Sequence, residues 1–287
     1  MSDRTTAGSI DALLPPEMAK RAEAIGVAKA GLSAPRLLVL GALAGAFIAF
    51  GAIFATVAAT GSAGLPYGVG RALTGLVFCL GLVLVIVGGA ELFTGNNLIV
   101  MALASGRITI GDVLRNWVLV YLGNLVGAVF VAALVFLAGH HEGAGGQVGL
   151  TALKIANAKC AIPFVEAFAR GVLCNLLVCL AVWLCFSARS TADKVLAILF
   201  PISAFVAAGF EHCVANMYFV PIGLFIRAGA GPEFWERAGT NPEAFAELGL
   251  GGFMANLLPV TLGNIVGGAL LVGVVYWFVY LREEPRG

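Results

Sequence analysis

Three ionisable side chains stand inside long apolar stretches of this sequence. Glu91 is the one charged residue between positions 72 and 106, and Glu211 with its neighbour His212 interrupts the run between positions 195 and 226. Ionisable groups are costly at membrane depth and commonly mark solute or proton pathways there. Because histidine exchanges protons near neutral pH, we expect His212 to donate a hydrogen bond or a proton to a passing anion. The ordinary alternative is a structural histidine.

Composition makes lipid the solvent for most of this chain. Hydrophobic residues account for 60% of the 287 positions and charged residues for 11%, which is more apolar surface than a soluble domain can bury. No basic run suggests a nucleic-acid partner. The six cysteines lack C-x-x-C spacing and the three histidines lack metal-ligand spacing. We therefore predict buried thiols, no metal site and no cofactor.

Four uncharged stretches can cross a membrane core of about 30 Å as helices. They cover positions 37–59, 116–139, 171–188 and 248–281. The third of these is slightly short, and we expect it to extend backwards to position 161. The fourth is too long, and Pro259 is predicted to mark the start of its membrane helix.

The two stretches that contain the ionisable residues are predicted to be broken spans. A continuous helix over positions 72–106 would be about 50 Å long at 1.5 Å per residue. Its centre at positions 91–97 reads ELFTGNN, and Gly and Asn are poor helix formers. These stretches are the second and fifth of six spans, and six spans place both termini on one side of the membrane.

Lysine and arginine are more frequent in the segments that would be cytoplasmic if the N-terminus is inside. This bias predicts that both termini are cytoplasmic. We expect a cytoplasmic N-terminal segment at 1–35 with a short helix over 15–31. A six-helix transmembrane domain at 36–282 and a cytoplasmic tail at 283–287 follow.

An internal repeat relates the two broken spans. Positions 89–96 match positions 209–216 at an offset of 120, with Gly, Glu and Asn at the same places, and LGNLVG at 122–127 resembles LGNIVG at 262–267. Each half contributes three spans, and an odd number inserts the second half upside down. The predicted fold is therefore an all-α membrane protein, an inverted three-plus-three repeat with broken second and fifth helices.

Structural roles are expected for the polar residues at the breaks, which are Glu91, Asn96, Glu211 and Asn216. The two glutamates would accept hydrogen bonds from backbone N–H groups that the breaks release. A carboxylate that faced the pathway of an anion would repel it. Asn124 and Asn264, in the third and sixth spans, are expected to hold helices together.

The sequence that contains these residues resembles the formate/nitrite transporter family, and most closely its formate-channel branch. The resemblance extends from position 15 to position 283. It is carried by AELFTGN at 90–96, SGRI at 105–108, YLGNLVG at 121–127, NLLVCLAVW at 175–183, GFEH at 209–212, ANM at 215–217, PIG at 221–223 and GNIVGG at 263–268. GNN at 95–97 departs from the less polar residues of some formate channels, which leaves the anion preference open.

The resemblance implies an aquaporin-like protomer in a homopentamer of the bacterial cytoplasmic (inner) membrane, with one pore in each subunit. Thr94 would bond His212, and Lys159 would attract anions unless it is an ordinary snorkelling lysine. The implied pathway consists of Leu82 and Phe93 at a cytoplasmic constriction, Thr94, Asn175 and His212 in the centre, Phe78, Val178 and Phe205 at a periplasmic constriction, and Lys159 in the vestibule beyond it.

The leading hypothesis is a channel or proton-linked transporter for small monovalent weak-acid anions, with formate first. An apolar constriction penalises a bare charge, so a weak-acid anion gains by neutralisation near His212, whereas chloride does not. Nitrite, hydrosulfide and lactate stay open as cargoes. A membrane-embedded enzyme built on Glu211, His212 and Cys213 has no cofactor motif to support it, and we predict that the protein is not an enzyme. Paired Asn-Pro-Ala motifs, expected of a neutral-solute pore, are missing.

Overall fold

A computed structural model describes residues 12–282, and no β-strand occurs in that part of the chain. Positions 1–11 of the predicted N-terminal segment and the predicted tail at 283–287 lie outside the described residues. The helices are α1 (Pro15–Ala30), α2 (Ala34–Ala59), α3 (Tyr67–Gly88), α4 (Val100–Ala104), α5 (Ile110–Leu137), α6 (Gln147–Cys160), α7 (Phe164–Ser187), α8 (Thr191–Ala208), α9 (Cys213–Gly229), α10 (Pro232–Ala238), α11 (Leu250–Ile265) and α12 (Val275–Tyr280).

Six helical segments of the described chain are long and apolar enough to cross a membrane. They are α2, α3, α5, α7, α8 and the run Pro242–Tyr280, which contains α11 and α12. Their outer faces carry exposed apolar side chains, such as Val126 at 64% and Phe200 at 75% of full exposure. Lipid, rather than water, solvates such a surface. The predicted all-α membrane fold is confirmed.

Three spans begin at positions other than the predicted ones. α11 starts at Leu250, and Pro259 lies inside it rather than at its start. A membrane helix tolerates proline because neighbouring groups satisfy the backbone that it leaves free. α5 starts at Ile110, where Thr109 and Asp112 form a capping box. α7 starts after its N-cap Pro163, since the residue before a proline is disfavoured in the α region and a helix from position 161 would need Ile162 there.

Both predicted breaks are present, and each begins at a glycine in the left-handed region. α3 ends at Gly88 and is followed by Gly89 with φ of 78°, whereas α8 ends at Ala208 and is followed by Gly209 with φ of 76°. Left-handed backbone of this kind favours glycine and commonly ends helices. The first break continues through a 3₁₀ turn, Gly95–Ile99, into α4, and the second leads directly into α9.

The two halves repeat the same packing contacts. In the first half α2 crosses α5, where a Cβ atom at Gly127 would lie 1.8 Å from the carbonyl oxygen of Ala42. In the second half α7 crosses α11 and the π-helical segment Val266–Val274, where a Cβ atom at Gly267 would lie 2.2 Å from the Val172 oxygen. Small residues let membrane helices approach this closely. The glycines of the repeated LGN motifs therefore join the first to the third span of each half.

The predicted N-terminal helix is present as α1, and it is docked on the transmembrane helices. Met18 and Ala22 are buried in a cluster with Trp183 of α7. The Arg21 side chain donates a 2.9 Å hydrogen bond to the carbonyl oxygen of Phe186. This docking brings the last turn of α1, which contains Lys29, against the first break.

Candidate functional site

His212 and Thr94 meet at the centre of the protein, one from each break. The Thr94 hydroxyl oxygen lies 2.9 Å from Nε2 of His212, and both side chains are buried. Thr94 belongs to the loop between α3 and α4, and His212 directly precedes α9. The contact that the resemblance implied is therefore present.

Backbone geometry sets the tautomer of a neutral His212 ring. The side chain caps α9, and its Nδ1 accepts a hydrogen bond from the Ala215 N–H at 3.0 Å. A ring nitrogen that accepts carries no proton, so the single proton lies on Nε2 and is donated to the oxygen of Thr94. The hydroxyl proton of Thr94 is then left to donate to another acceptor.

Beside this pair lies a group that we call the Lys159 triad, consisting of Lys159, Glu211 and Asn216. The Lys159 ammonium donates to Glu211 at 2.8 Å, and the Asn216 amide donates to the other carboxylate oxygen at 2.7 Å. Asn256 of α11 bonds the amide of Asn216 and the backbone oxygen of Lys159. Lys159 itself lies in α6, just before the fourth span.

The equivalent group at the first break is the Lys29 triad, consisting of Lys29, Glu91 and Asn96. Lys29 donates to Glu91 at 2.9 Å and also to the side-chain oxygen of Asn96 at 2.8 Å. The Asn96 amide donates to Glu91 at 2.7 Å, and Asn116 of α5 takes the place that Asn256 has in the second half.

Sequence reasoning missed Lys29, Asn116 and Asn256. Lys29 lies in the short helix predicted over 15–31, whose alternating charges are typical of a solvated surface helix and not of a pathway. The repeat could have revealed these residues. Asn116 and Asn256 stand 140 positions apart, the same offset that separates the recognised LGN motifs at 122 and 262.

The backbone groups released at the breaks are satisfied by asparagine, not by glutamate as predicted. The Asn124 side chain accepts from the Phe93 N–H and donates to the Glu91 carbonyl oxygen. Asn264 does the same for Cys213 and Glu211. An asparagine amide both donates and accepts, whereas an ionised carboxylate only accepts. Each carboxylate is therefore left to bind the lysine and asparagine side chains of its own triad.

Asn175 connects the first break to α11. Its amide donates to the Thr94 carbonyl oxygen at 3.2 Å and to the Asn264 carbonyl oxygen at 2.7 Å. The Cys179 thiol donates to the same Thr94 oxygen at 3.3 Å. Asn175 is fully buried and touches the pair through the backbone of Thr94. It therefore positions Thr94 from the side of α7.

Three cavities share walls and lie in sequence through the protomer. The first, which we call the Lys159 vestibule, measures about 500 Å³ and is bounded at its inner end by Phe78, Phe205 and His212. These three also line a central cavity of about 10 Å³, near the lower limit for one water molecule. Leu82 and Leu92 line its other side and also line the Lys29 vestibule, which measures about 290 Å³.

Most of the predicted constriction residues surround this central cavity. Phe78, Leu82, Val178 and Phe205 line it, together with His212, Leu92, Ile48 and Ile202. Phe93 is buried, but its ring packs edge-on against Trp117 and Tyr121 at centroid distances of 6.0 and 5.0 Å. The constriction role of Phe93 stays a prediction. The structure adds its neighbour Leu92, which faces the cavity.

No group of three or more His, Cys, Asp or Glu side chains that could hold a metal ion occurs among residues 12–282. The Lys159 ammonium is bound by a carboxylate and stands 5.3 Å from the ring centroid of Phe219. The chemical capacity of the site therefore resides in hydrogen-bond donors and paired charges. The Thr94 hydroxyl is bonded to His212, which lines the apolar central cavity, and charged vestibules lie on both sides of that cavity.

A family model described as "Formate/nitrite transporter" matches residues 16–278. Formate channel FocA of Escherichia coli (strain K12) is 48% identical over 277 residues, which cover 96% of this chain and 97% of that protein. Formate channel FocA of Haemophilus influenzae is 45% identical, and the alignment covers 92% and 93%.

Solved structures agree with these sequence relatives. A structure described as "Pentameric formate channel with formate bound" has a TM-score of 0.83 and 46% identity and covers 87% of this chain and 98% of its own. A second, described as "FNT family ion channel", has a TM-score of 0.77 at 32% identity, with 92% and 98% covered. The family resemblance found in the sequence is confirmed.

Proposed function

Because the chain belongs to the formate/nitrite transporter family, we propose that it is a membrane channel for formate. The observation that carries this proposal is the likeness to a formate-bound channel at 46% identity over nearly the whole of that chain. The three aligned cavities of this chain supply a matching route. Its full-length relatives are named formate channels, which favours formate over nitrite, hydrosulfide and lactate, and favours transport over catalysis.

The apolar centre of the route decides the form in which formate crosses. A carboxylate in an apolar cavity of about 10 Å³ loses most of its hydration, and an unpaired buried charge is strongly unfavourable. Formate that accepts a hydrogen bond, and then a proton, carries less charge through Phe78, Phe205 and Leu82. Formate thus crosses as a weak acid whose net charge is close to zero, and its transport is linked to protons.

The donor to formate is the Thr94 hydroxyl, with His212 as the residue that orients it. His212 has one ring proton in its neutral form, and Thr94 already accepts it. Giving that proton to formate would leave an imidazolate, and a second ring proton would break the bond from the Ala215 N–H. The proton that accompanies formate therefore enters from a vestibule. This modifies the expectation that His212 donates directly.

The assembly is a homopentamer in which each subunit has its own pore. The related formate-bound structure is described as pentameric. In this chain the three cavities follow one another through the protomer, which supports a separate pore in each subunit.

The Lys29 vestibule faces the cytoplasm, and the Lys159 vestibule faces the opposite side. This orientation follows from the lysine and arginine bias that predicts cytoplasmic termini, because α1 and the end of α12 lie on the Lys29 side. The membrane is the bacterial cytoplasmic (inner) membrane, in line with the bacterial relatives.

Formate flux into proteoliposomes tests the proposed function. The wild-type protein should carry formate faster than protein-free vesicles and faster than nitrite, hydrosulfide or lactate in competition. Val178→Trp provides a matched blocked channel, because the larger side chain would fill the central cavity. Formate flux no greater than that of the blocked variant, in vesicles that contain folded protein, would overturn the proposal.

A further inference from the structure

The Lys159 vestibule is lined by five charged side chains, and four of them form ion pairs with each other. Lys159 pairs with Glu211 at 2.8 Å, and Arg170 pairs with Glu166 one helical turn away. The fifth is Arg71, which forms no ion pair with any residue of the described chain, 12–282. Three positive and two negative side chains leave a net charge of +1, and Arg71 carries it.

Backbone carbonyls hold the Arg71 guanidinium in place. Its Nε donates to the Ala207 oxygen at 2.9 Å and its Nη2 to the Val206 oxygen at 2.6 Å. These carbonyls belong to the last turn of α8, and the Val206 oxygen also accepts a hydrogen bond from the Gly209 N–H at 3.1 Å. A guanidinium has five N–H groups, so most of its donors are left for the vestibule. The carbonyl end of a helix offsets only about half a charge.

This position puts the unpaired charge at the entrance of the route. Arg71 lines the same cavity as Phe78, Phe205 and His212. The helix end that it holds leads through Gly209 into the break that carries His212. We propose that Arg71 is the residue that concentrates formate in the Lys159 vestibule, an inference that rests on the proposed function. Arg71 also gives this entrance its preference for carboxylate anions.

Lys159 is less suited to this task, although the resemblance pointed to it. Its charge is compensated by Glu211 at 2.8 Å, and its side chain is only 14% exposed. A paired charge has little field beyond its partner, whereas an unpaired one raises the local anion concentration in a cleft with low-dielectric walls. The planar guanidinium fork also matches the two oxygens of a carboxylate.

Charge variants of the vestibule separate this electrostatic role from the structural role of Arg71. Arg71→Gln removes the charge and keeps an amide donor for the α8 carbonyls. Glu166→Gln adds a net positive charge at an exposed ion pair. The double variant restores the net charge of +1. Arg71→Lys keeps the charge but loses the fork.

The measurement is formate flux into proteoliposomes at low formate, in about 0.01 M and about 1 M salt, where the Debye length is about 30 Å and 3 Å. Flux at low concentration is the same in both directions, so random insertion does not obscure it. At low salt, Arg71→Gln should reduce flux about three- to tenfold and Glu166→Gln should increase it. The double variant should be near wild type, and Arg71→Lys should lie between the wild type and Arg71→Gln because it keeps the charge and loses the fork. High salt should remove the differences that depend on charge.

Two outcomes overturn the inference about Arg71. One is Arg71→Gln flux equal to that of the wild type at low salt. The other is a loss that the double variant does not recover or that high salt does not reduce, which would show that Arg71 acts only by holding α8. Either result requires a wild type that conducts formate. A wild type that conducts none would instead overturn the proposed function.

Discussion

The two breaks share one scaffold and differ where they face the pathway. Each has a glycine turn, a Lys–Glu–Asn triad, and an asparagine that binds the released backbone. At the position after the glutamate, however, the first break carries Leu92 and the second carries His212. Both residues line the central cavity. The repeat thus builds two equivalent supports, and its departure from symmetry gives the cavity one apolar wall and one polar wall.

The triads also differ in one hydrogen bond. Lys29 reaches both Glu91 and the side-chain oxygen of Asn96. Lys159 reaches only Glu211, lies over the ring of Phe219, and leaves the side-chain oxygen of Asn216 without a partner in the described chain. The Lys29 triad is therefore the more fully bonded, whereas the Lys159 triad is the more deeply buried, with lysine side chains 26% and 14% exposed.

Breaking either of the two buried ion pairs should cause the largest loss, which is a loss of unfolding free energy. Glu211→Ala leaves Lys159 unpaired and should cost about 3 kcal/mol of unfolding free energy. Glu91→Ala should cost less, because Lys29 is more exposed to water and keeps its bond to Asn96. Denaturant unfolding of the purified variants measures both, with Glu166→Ala as a surface control. A greater loss from Glu91→Ala would reverse the comparison.

Making the second break resemble the first should nearly abolish transport. His212→Leu removes the donor to Thr94, and one strong hydrogen bond is worth about 10- to 100-fold in flux. His212→Asn keeps a cap for α9 but is too short to reach Thr94, so it should recover stability of about 1 kcal/mol without recovering flux. Formate flux in proteoliposomes and unfolding free energy are measured on both variants. Wild-type flux in His212→Leu would remove His212 from the mechanism.

Changes at Thr94 test which member of the central pair donates to formate. Thr94→Val keeps the shape and removes the hydroxyl, and it should lower formate flux about tenfold. Thr94→Ser keeps the donor and should stay within about twofold of the wild type. The same proteoliposome assay measures both. If the valine variant conducts normally while His212→Leu does not, the donor is His212 and not Thr94.

The smallest expected effect is a loss of stability at low pH that depends on His141, in the segment between the two halves. Burial lowers the pKa of His141, which lies outside the spans, so the folded protein favours the neutral ring. The contribution of this residue to stability is complete above the ordinary pKa of about 6.5 and falls as the pH drops below it, because the unfolded chain then binds the proton more readily. Unfolding at pH 7 and 5 should show the loss, and His141→Phe should remove it.

The same variant serves as a control for transport. His141→Phe should leave the dependence of formate flux on pH unchanged, because His141 stacks on Phe136, packs edge-on against Phe234 and does not line the central cavity. A changed flux profile would show that the pH response of transport does not belong to the central pair alone.

Much of the architecture could be predicted from single residues and their spacing. The lengths of the apolar stretches identified six spans, and GNN at 95–97 with Glu91 identified a break. Pro259 was misplaced because proline ends helices in water more strictly than in a membrane, where neighbouring helices satisfy the freed carbonyl. The start of α5 was missed because its capping residue Asp112 is charged.

Contacts between distant residues could not be predicted in the same way. Lys29 belongs to the site because α1 docks on the first break, 62 positions away from its partner Glu91. Leu92 rather than Phe93 faces the cavity because the ring of Phe93 is held by Trp117 and Tyr121. Neither fact follows from hydropathy, which treats Leu and Phe alike.

The sequence by itself determined that this protein spans a membrane, that two spans are broken, and that a histidine stands at one break. It could do so because ionisable residues are costly in lipid and therefore rare in membrane spans, so each one is easily recognised in the sequence. Only the tertiary structure decided that His212 donates to Thr94, that Glu211 neutralises Lys159, and that Arg71 has no ion-pair partner among residues 12–282. Those outcomes depend on distances of about 3 Å between residues from different helices, which spacing along the chain does not encode.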